Sequence, residues 1–112
     1  MDYAARTGDL VRAAGAGEVI FVGRDGELGN TIALMHGGGV ETRYGHLSRI
    51  AVAVGDCVSA GTVIGYAGST GLSPGPRLYF EVRRNGTPVD PLAQTISGSV
   101  LVFGLTQEAP GN

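Results

Sequence analysis

Short apolar or alternating runs recur along the chain at close intervals: DLVRA (9–13), GEVIFVGR (17–24), NTIALMH (30–36), GVETRYGHL (39–47), IAVAV (50–54), TVIGYAG (62–68) and RLYFEVRR (77–84). Turn signals stand between them: RDGELGN, HGGG, VGD, SAG, GSTGLSPGP and RNGT. Asn85 and Gly86 form a pair that tolerates positive φ at both positions, which predicts a tight hairpin. No run sustains a helical period, and many short strands broken by glycine-rich turns predict an all-β sandwich or barrel. The strand rhythm stops after VDPL. Residues 1–93 therefore read as the domain and 94–112 as a tail, in which SVLVF predicts one further strand and QEAPGN a frayed end.

Composition narrows the function classes. A chain of 112 residues with 43% hydrophobic residues, 20 Gly and no Trp is one domain with a single core, not a disordered segment. Net charge is −2 with both signs interspersed, and the absence of a basic run or aromatic-basic stripe argues against nucleic acid as a partner. No apolar stretch approaches the roughly 20 residues needed to cross a bilayer, so no membrane insertion is expected of this chain. MDYAARTGDL lacks a basic-then-apolar leader. The single cysteine, Cys57 in VGDCVSAG, reads as a small half-buried side chain entering a strand, since reactive thiols need an electropositive setting. All 8 basic residues are Arg. Without lysine there is no Schiff base and no biotinyl or lipoyl attachment, although VAVGDCVSAGTVIGYAG has the shape of the repeat in those carriers.

Three stretches together resemble the LytM or lysostaphin-like zinc metallopeptidase domain: DYAARTGDLVRAAGAGEVIFVG, YGHLSRIAVAVGDCVSAGTVIGYAGSTG and GPRLYFEVRRNGTPVDP. The resemblance runs from about residue 2 to 92. It implies a compact antiparallel two-sheet β-sandwich, of the duplicated hybrid motif type, with a groove on one side. It also implies a zinc ion held by a histidine, an aspartate four residues later and the second histidine of a His-x-His strand, with metal-bound water as the nucleophile.

Carried over residue by residue, Asp2 takes the place of the aspartate ligand, Arg77 and Tyr79 take the two histidine places of the strand, and Tyr44 and His46 match a Tyr-x-His element. No position four residues before Asp2 exists in the sequence. The resemblance implies a signal peptide or anchor, often with a coiled coil, ahead of such a domain, and as the sequence shows neither, the expectation is an isolated C-terminal domain. One carboxylate cannot supply the roughly 10–16 kcal/mol of a full structural zinc site, a neutral phenol is a weak ligand, and a guanidinium repels a dication. The expectation is a vestigial metal position at Asp2, no bound metal or other cofactor, no catalytic residue and no enzymatic activity.

RLYFEVRRNG further resembles the degenerate LytM domains typified by EnvC-like murein hydrolase activators. That implies an extracytoplasmic domain whose groove, lined by Arg77, Tyr79, Tyr44 and His46, binds and activates a cell-wall amidase or another envelope or division protein, with peptidoglycan as a further partner. Two alternatives stand beside it: a zinc-dependent cell-wall endopeptidase with ligands supplied from outside this chain, and a non-catalytic scaffold or peptidoglycan-binding module. His36, ending a strand before HGGG, is expected to be a turn-capping or partly buried imidazole.

Overall fold

The computed structural model describes residues 2–89, 95–96 and 99–100. The described residues are almost entirely extended: β1 (Asp2–Ala4), β2 (Leu10–Arg12), β3 (Gly17–Arg24), β4 (Asn30–Gly37), β5 (Val40–Ile50), β6 (Cys57–Val58), β7 (Val63–Ala67), β8 (Arg77–Arg84) and β9 (Thr87–Val89). A single 3-10 turn at Gly26–Leu28 is the only helical piece among them. These nine strands form one antiparallel sheet with the path β1-β8-β5-β4-β3-β6, to which β9 adds beside β8 and the β2–β7 pair adds beside β5. Two further strands, β10 (Thr95–Ile96) and β11 (Ser99–Val100), pair with each other. The expected all-β antiparallel fold is therefore what the chain adopts. Residues 101–103 of the expected SVLVF strand, and the QEAPGN end, lie outside the described residues.

The strand β5 joins the two parts of the sheet. Residues Val40–Gly45 pair with β8, whereas Leu47–Ile50 pair with β7. The changeover falls at His46, whose φ of 61° lies in the left-handed region. A bulge at such a point lets one strand serve two layers. The apolar residues of both parts meet in one core: Val11 of β2 and Ile64 of β7 are buried with Ile32 and Leu34 of β4, Tyr44 of β5, and Leu78, Phe80 and Val82 of β8. Burial of the even positions of β8 leaves its odd positions, Arg77, Tyr79, Glu81 and Arg83, on the opposite face.

The hairpin at Asn85-Gly86 forms as expected, with φ of 52° and 85° at the two positions. The expected strand over 50–54 does not form. β5 runs on to Ile50 instead, and the chain then turns, with the Asp56 carboxylate accepting from the Ala53 amide at 2.9 Å and the Asp56 amide donating back to the Ala53 carbonyl at 3.0 Å. An aspartate that satisfies the backbone locally competes with sheet pairing, and Val54 is left 62% exposed. Cys57 also departs from expectation: at the start of an edge strand it is exposed, not half-buried.

Candidate functional site

Pairing β1 to β8 sets Asp2 opposite Tyr79 and Ala4 opposite Arg77. Asp2 thus lands on the same face as the odd residues of β8, and Arg77 Nη1 donates to Asp2 Oδ2 at 3.3 Å. From β5, His46 reaches the same spot, its Nε2 lying 3.7 Å from Asp2 Oδ1. The His46 ring stands edge-on to Tyr79 at 6.3 Å between centroids. Asp2, His46, Arg77 and Tyr79 therefore come together at one end of the face. Each of these positions was legible in the sequence.

Tyr44 does not join them. It is 1% exposed in the core, where its hydroxyl accepts from the Ala14 amide at 3.0 Å and lies 2.8 Å from Thr42 Oγ1. Burial pushes its phenol up to about 12. The expectation that Tyr44 lines the groove is corrected by the bulge. In a regular strand positions 44 and 46 share a face, but the left-handed residue at 46 turns the imidazole outward while Tyr44 stays inward.

What holds His46 is a residue the sequence did not single out. His46 Nδ1 lies 2.7 Å from the Thr70 carbonyl oxygen, and the imidazole is 4% exposed. Thr70 is itself clamped: its hydroxyl donates to the Leu47 carbonyl at 2.7 Å and accepts from the Asn30 amide at 3.1 Å. The loop carrying Thr70 crosses the 3-10 turn at close range, and the Leu72 amide donates to the Glu27 carbonyl at 2.8 Å. A Cβ on Gly29 or Gly71 would collide with the backbone of the other loop. The only signal for this clamp was GSTG, which reads as an ordinary turn.

Along β8 the face continues as paired charge. Tyr79 Oη donates to Glu81 at 3.3 Å and Arg83 Nε donates to Glu81 at 2.9 Å. On β5, Arg43 pairs Glu41 at 2.6 Å and Asp25 at 3.2 Å. Partial burial, reinforced by the Glu81 carboxylate, raises the Tyr79 phenol above its ordinary range, so it stays neutral. The Glu81 hydrogen bond likewise raises the Arg83 guanidinium. His36, expected as a partly buried imidazole, is one: it bridges the Ala16 carbonyl at 2.8 Å and Thr42 Oγ1 at 2.7 Å, away from the cleft.

A three-ligand zinc site does not fit the described residues. Among them no three His, Cys, Asp or Glu side chains converge. Asp2 already accepts from a permanent cation, and the neutral Tyr79 phenol donates a hydrogen bond to Glu81 and offers no anionic oxygen.

The antiparallel sheet of this chain has the fold of the lysostaphin-like peptidases. The chain belongs to Peptidase family M23, whose profile matches residues 1–91. It is 50% identical over 93 residues to the DD-carboxypeptidase/endopeptidase Mpg of Neisseria meningitidis serogroup B, covering 83% of this chain and 21% of that protein. Among solved structures, the catalytic domain of lysostaphin from Staphylococcus simulans superposes with a TM-score of 0.75 at 38% identity, over 80% of this chain and 72% of that one. A zinc containing peptidase from Vibrio cholerae superposes with a TM-score of 0.80 at 38% identity, over 85% of this chain and 29% of that one. The chain thus spans about a fifth of the length of the curated relatives it matches first.

These relatives correct the expectation that the domain is not an enzyme. It rested on the ligand positions alone, Arg77 and Tyr79 on the strand and the missing position before Asp2, while half of the aligned residues coincide with a protein named for peptidase activity. Departures at the ligand positions do not outweigh a likeness that spans the domain.

Proposed function

We propose that this chain is the peptidase domain of a larger peptidoglycan-directed enzyme, hydrolysing amide bonds in the peptides of the bacterial wall. The carrying observation is the meeting of Asp2 and His46 at the end of the open face, 3.7 Å apart, with His46 fixed by the Thr70 carbonyl and a left-handed backbone. A non-glycine residue held in that conformation, with its ring buried and oriented, is the kind of local strain that accumulates at working sites. The face along β8 and β5 suits an extended peptide. Its charges are paired internally, so a substrate backbone need not compete with an unsatisfied ion.

The names of the relatives support this reading over the activator reading. Its substrate places the domain outside the cytoplasmic membrane, and among the described residues no helix is long and apolar enough to span one. The test is digestion of purified sacculi by the full-length protein, followed by chromatography of the released muropeptides. Cross-linked species shift to shorter ones if the proposal holds. An unchanged profile at enzyme excess contradicts it.

A further inference from the structure

One cation at the end of the open face is only partly engaged. A guanidinium carries a fork of N–H donors. Among the described residues, Arg77 uses its fork for a single hydrogen bond, from Nη1 to Asp2 Oδ2 at 3.3 Å. Its Nε is sealed from solvent without a partner, and Nη2 has no partner among the described residues either. The one contact it makes joins side chains 33% and 42% exposed. Such a contact is weaker than the two-pronged pairing that an arginine and a carboxylate make when their planes align. Arg77 therefore keeps both charge and donors for a second acceptor.

Space for that acceptor lies alongside. A cavity of about 220 Å³ is lined by Asp2, Tyr3, Ala4, Pro76 and Arg77. Water takes about 30 Å³ per molecule, so the cavity has room for a carboxylate with a small side chain attached. Asp2 does not bar an anion from it, because the Asp2–Arg77 pair is neutral as a whole and Arg77 supplies the unused donors. The cavity also borders β1, which ends the path of the sheet and has β8 on one side only among the described residues. A free strand edge offers main-chain groups to an extended peptide. A peptide end suits this place better than a free anion, since its backbone can follow the edge while its carboxylate meets the guanidinium.

We propose that Arg77 is a specificity-determining residue, which receives the free C-terminal carboxylate of a peptide seated in the cavity beside β1. The kind of peptide is taken from the peptidase reading. The preference for a free carboxylate comes from the unused donors of Arg77.

The full-length protein is titrated calorimetrically with N-acetyl-D-alanyl-D-alanine, with its C-terminal amide and with acetate. The acid is expected to bind at least roughly tenfold more tightly than the amide, the scale of a hydrogen-bonded charge contact, and more tightly than acetate. Arg77→Gln loses that preference. Arg77→Lys keeps part of it, because the charge remains but the fork is gone. Asp2→Asn tightens binding of the acid, because a competing carboxylate has been removed. No measurable binding of the acid, equal binding of acid and amide or of acid and acetate, or a preference that survives Arg77→Gln overturns the proposal, as does weaker binding in Asp2→Asn. Selective binding of the acid by a protein that leaves sacculi intact counts against the peptidase reading alone. Digestion of sacculi by a protein that binds acid and amide equally counts against this inference alone.

Discussion

The Tyr44 hydroxyl belongs to a hydrogen-bond chain whose direction is fixed at both ends. The Ala16 carbonyl can only accept, so His36 carries its proton on Nδ1 and accepts at Nε2 from Thr42. Thr42 in turn accepts from Tyr44, which accepts from the Ala14 amide. Tyr44→Phe leaves a buried amide and a buried threonine hydroxyl each short of a partner, and is expected to cost about 1–3 kcal/mol in urea denaturation. At the other end, burial holds the His36 imidazole below its ordinary value of 6.5. As pH falls the unfolded chain takes up that proton first. The stability present above about pH 6.5 is therefore lost as pH drops through the lowered folded value. A His36→Gln variant removes that contribution, so the difference between the two stability–pH curves measures it. Little of this chain was legible in advance. The resemblance put Tyr44 in the groove beside His46 and Tyr79, and nothing in YGHL announces that His46 is left-handed and that Tyr44 stays in the core.

Two loops that look alike in sequence carry different loads at the scale of elements. Gly86, in the β8–β9 hairpin, has a φ of 85° and open space around it. Gly86→Ala meets only the conformational penalty of a left-handed residue, about 1–2 kcal/mol. Gly29 has a φ of 67° and is packed against the backbone at Thr70 and Gly71. Gly29→Ala must push that loop away, and with it the carbonyl that orients His46. Thermal unfolding is expected to show the larger loss for Gly29→Ala, and an imidazole nitrogen NMR spectrum is expected to show a changed His46 environment for Gly29→Ala alone. Equal effects on both readouts contradict the clamp. The hairpin was legible because Asn-Gly writes its own geometry. The crossing of the Gly29 and Gly71 loops was not, since it depends on a contact between segments some forty residues apart in the sequence. Likewise IAVAV has the composition of a strand, and only the local turn closed by Asp56 withdraws it from the sheet.

For the whole molecule, the decisive arrangement is the passage of β5 from one pairing partner to another. Its first half builds the open face with β8, and its second half binds the β2–β7 pair over the core. The bulge between them delivers His46 to Asp2. Fold and site are therefore one construction, and the pattern of short runs predicted the first without revealing how it makes the second. The central claim is that this face hydrolyses wall peptides at its Asp2–His46 end. The most direct measurement is digestion of cross-linked muropeptides by the full-length protein in ¹⁸O-labelled water, with mass spectrometry of the products. The expected result is a new carboxyl terminus carrying one labelled oxygen from the wild type and none from His46→Ala. Unlabelled or absent termini from the wild type, or equal labelling from the variant, contradict the claim.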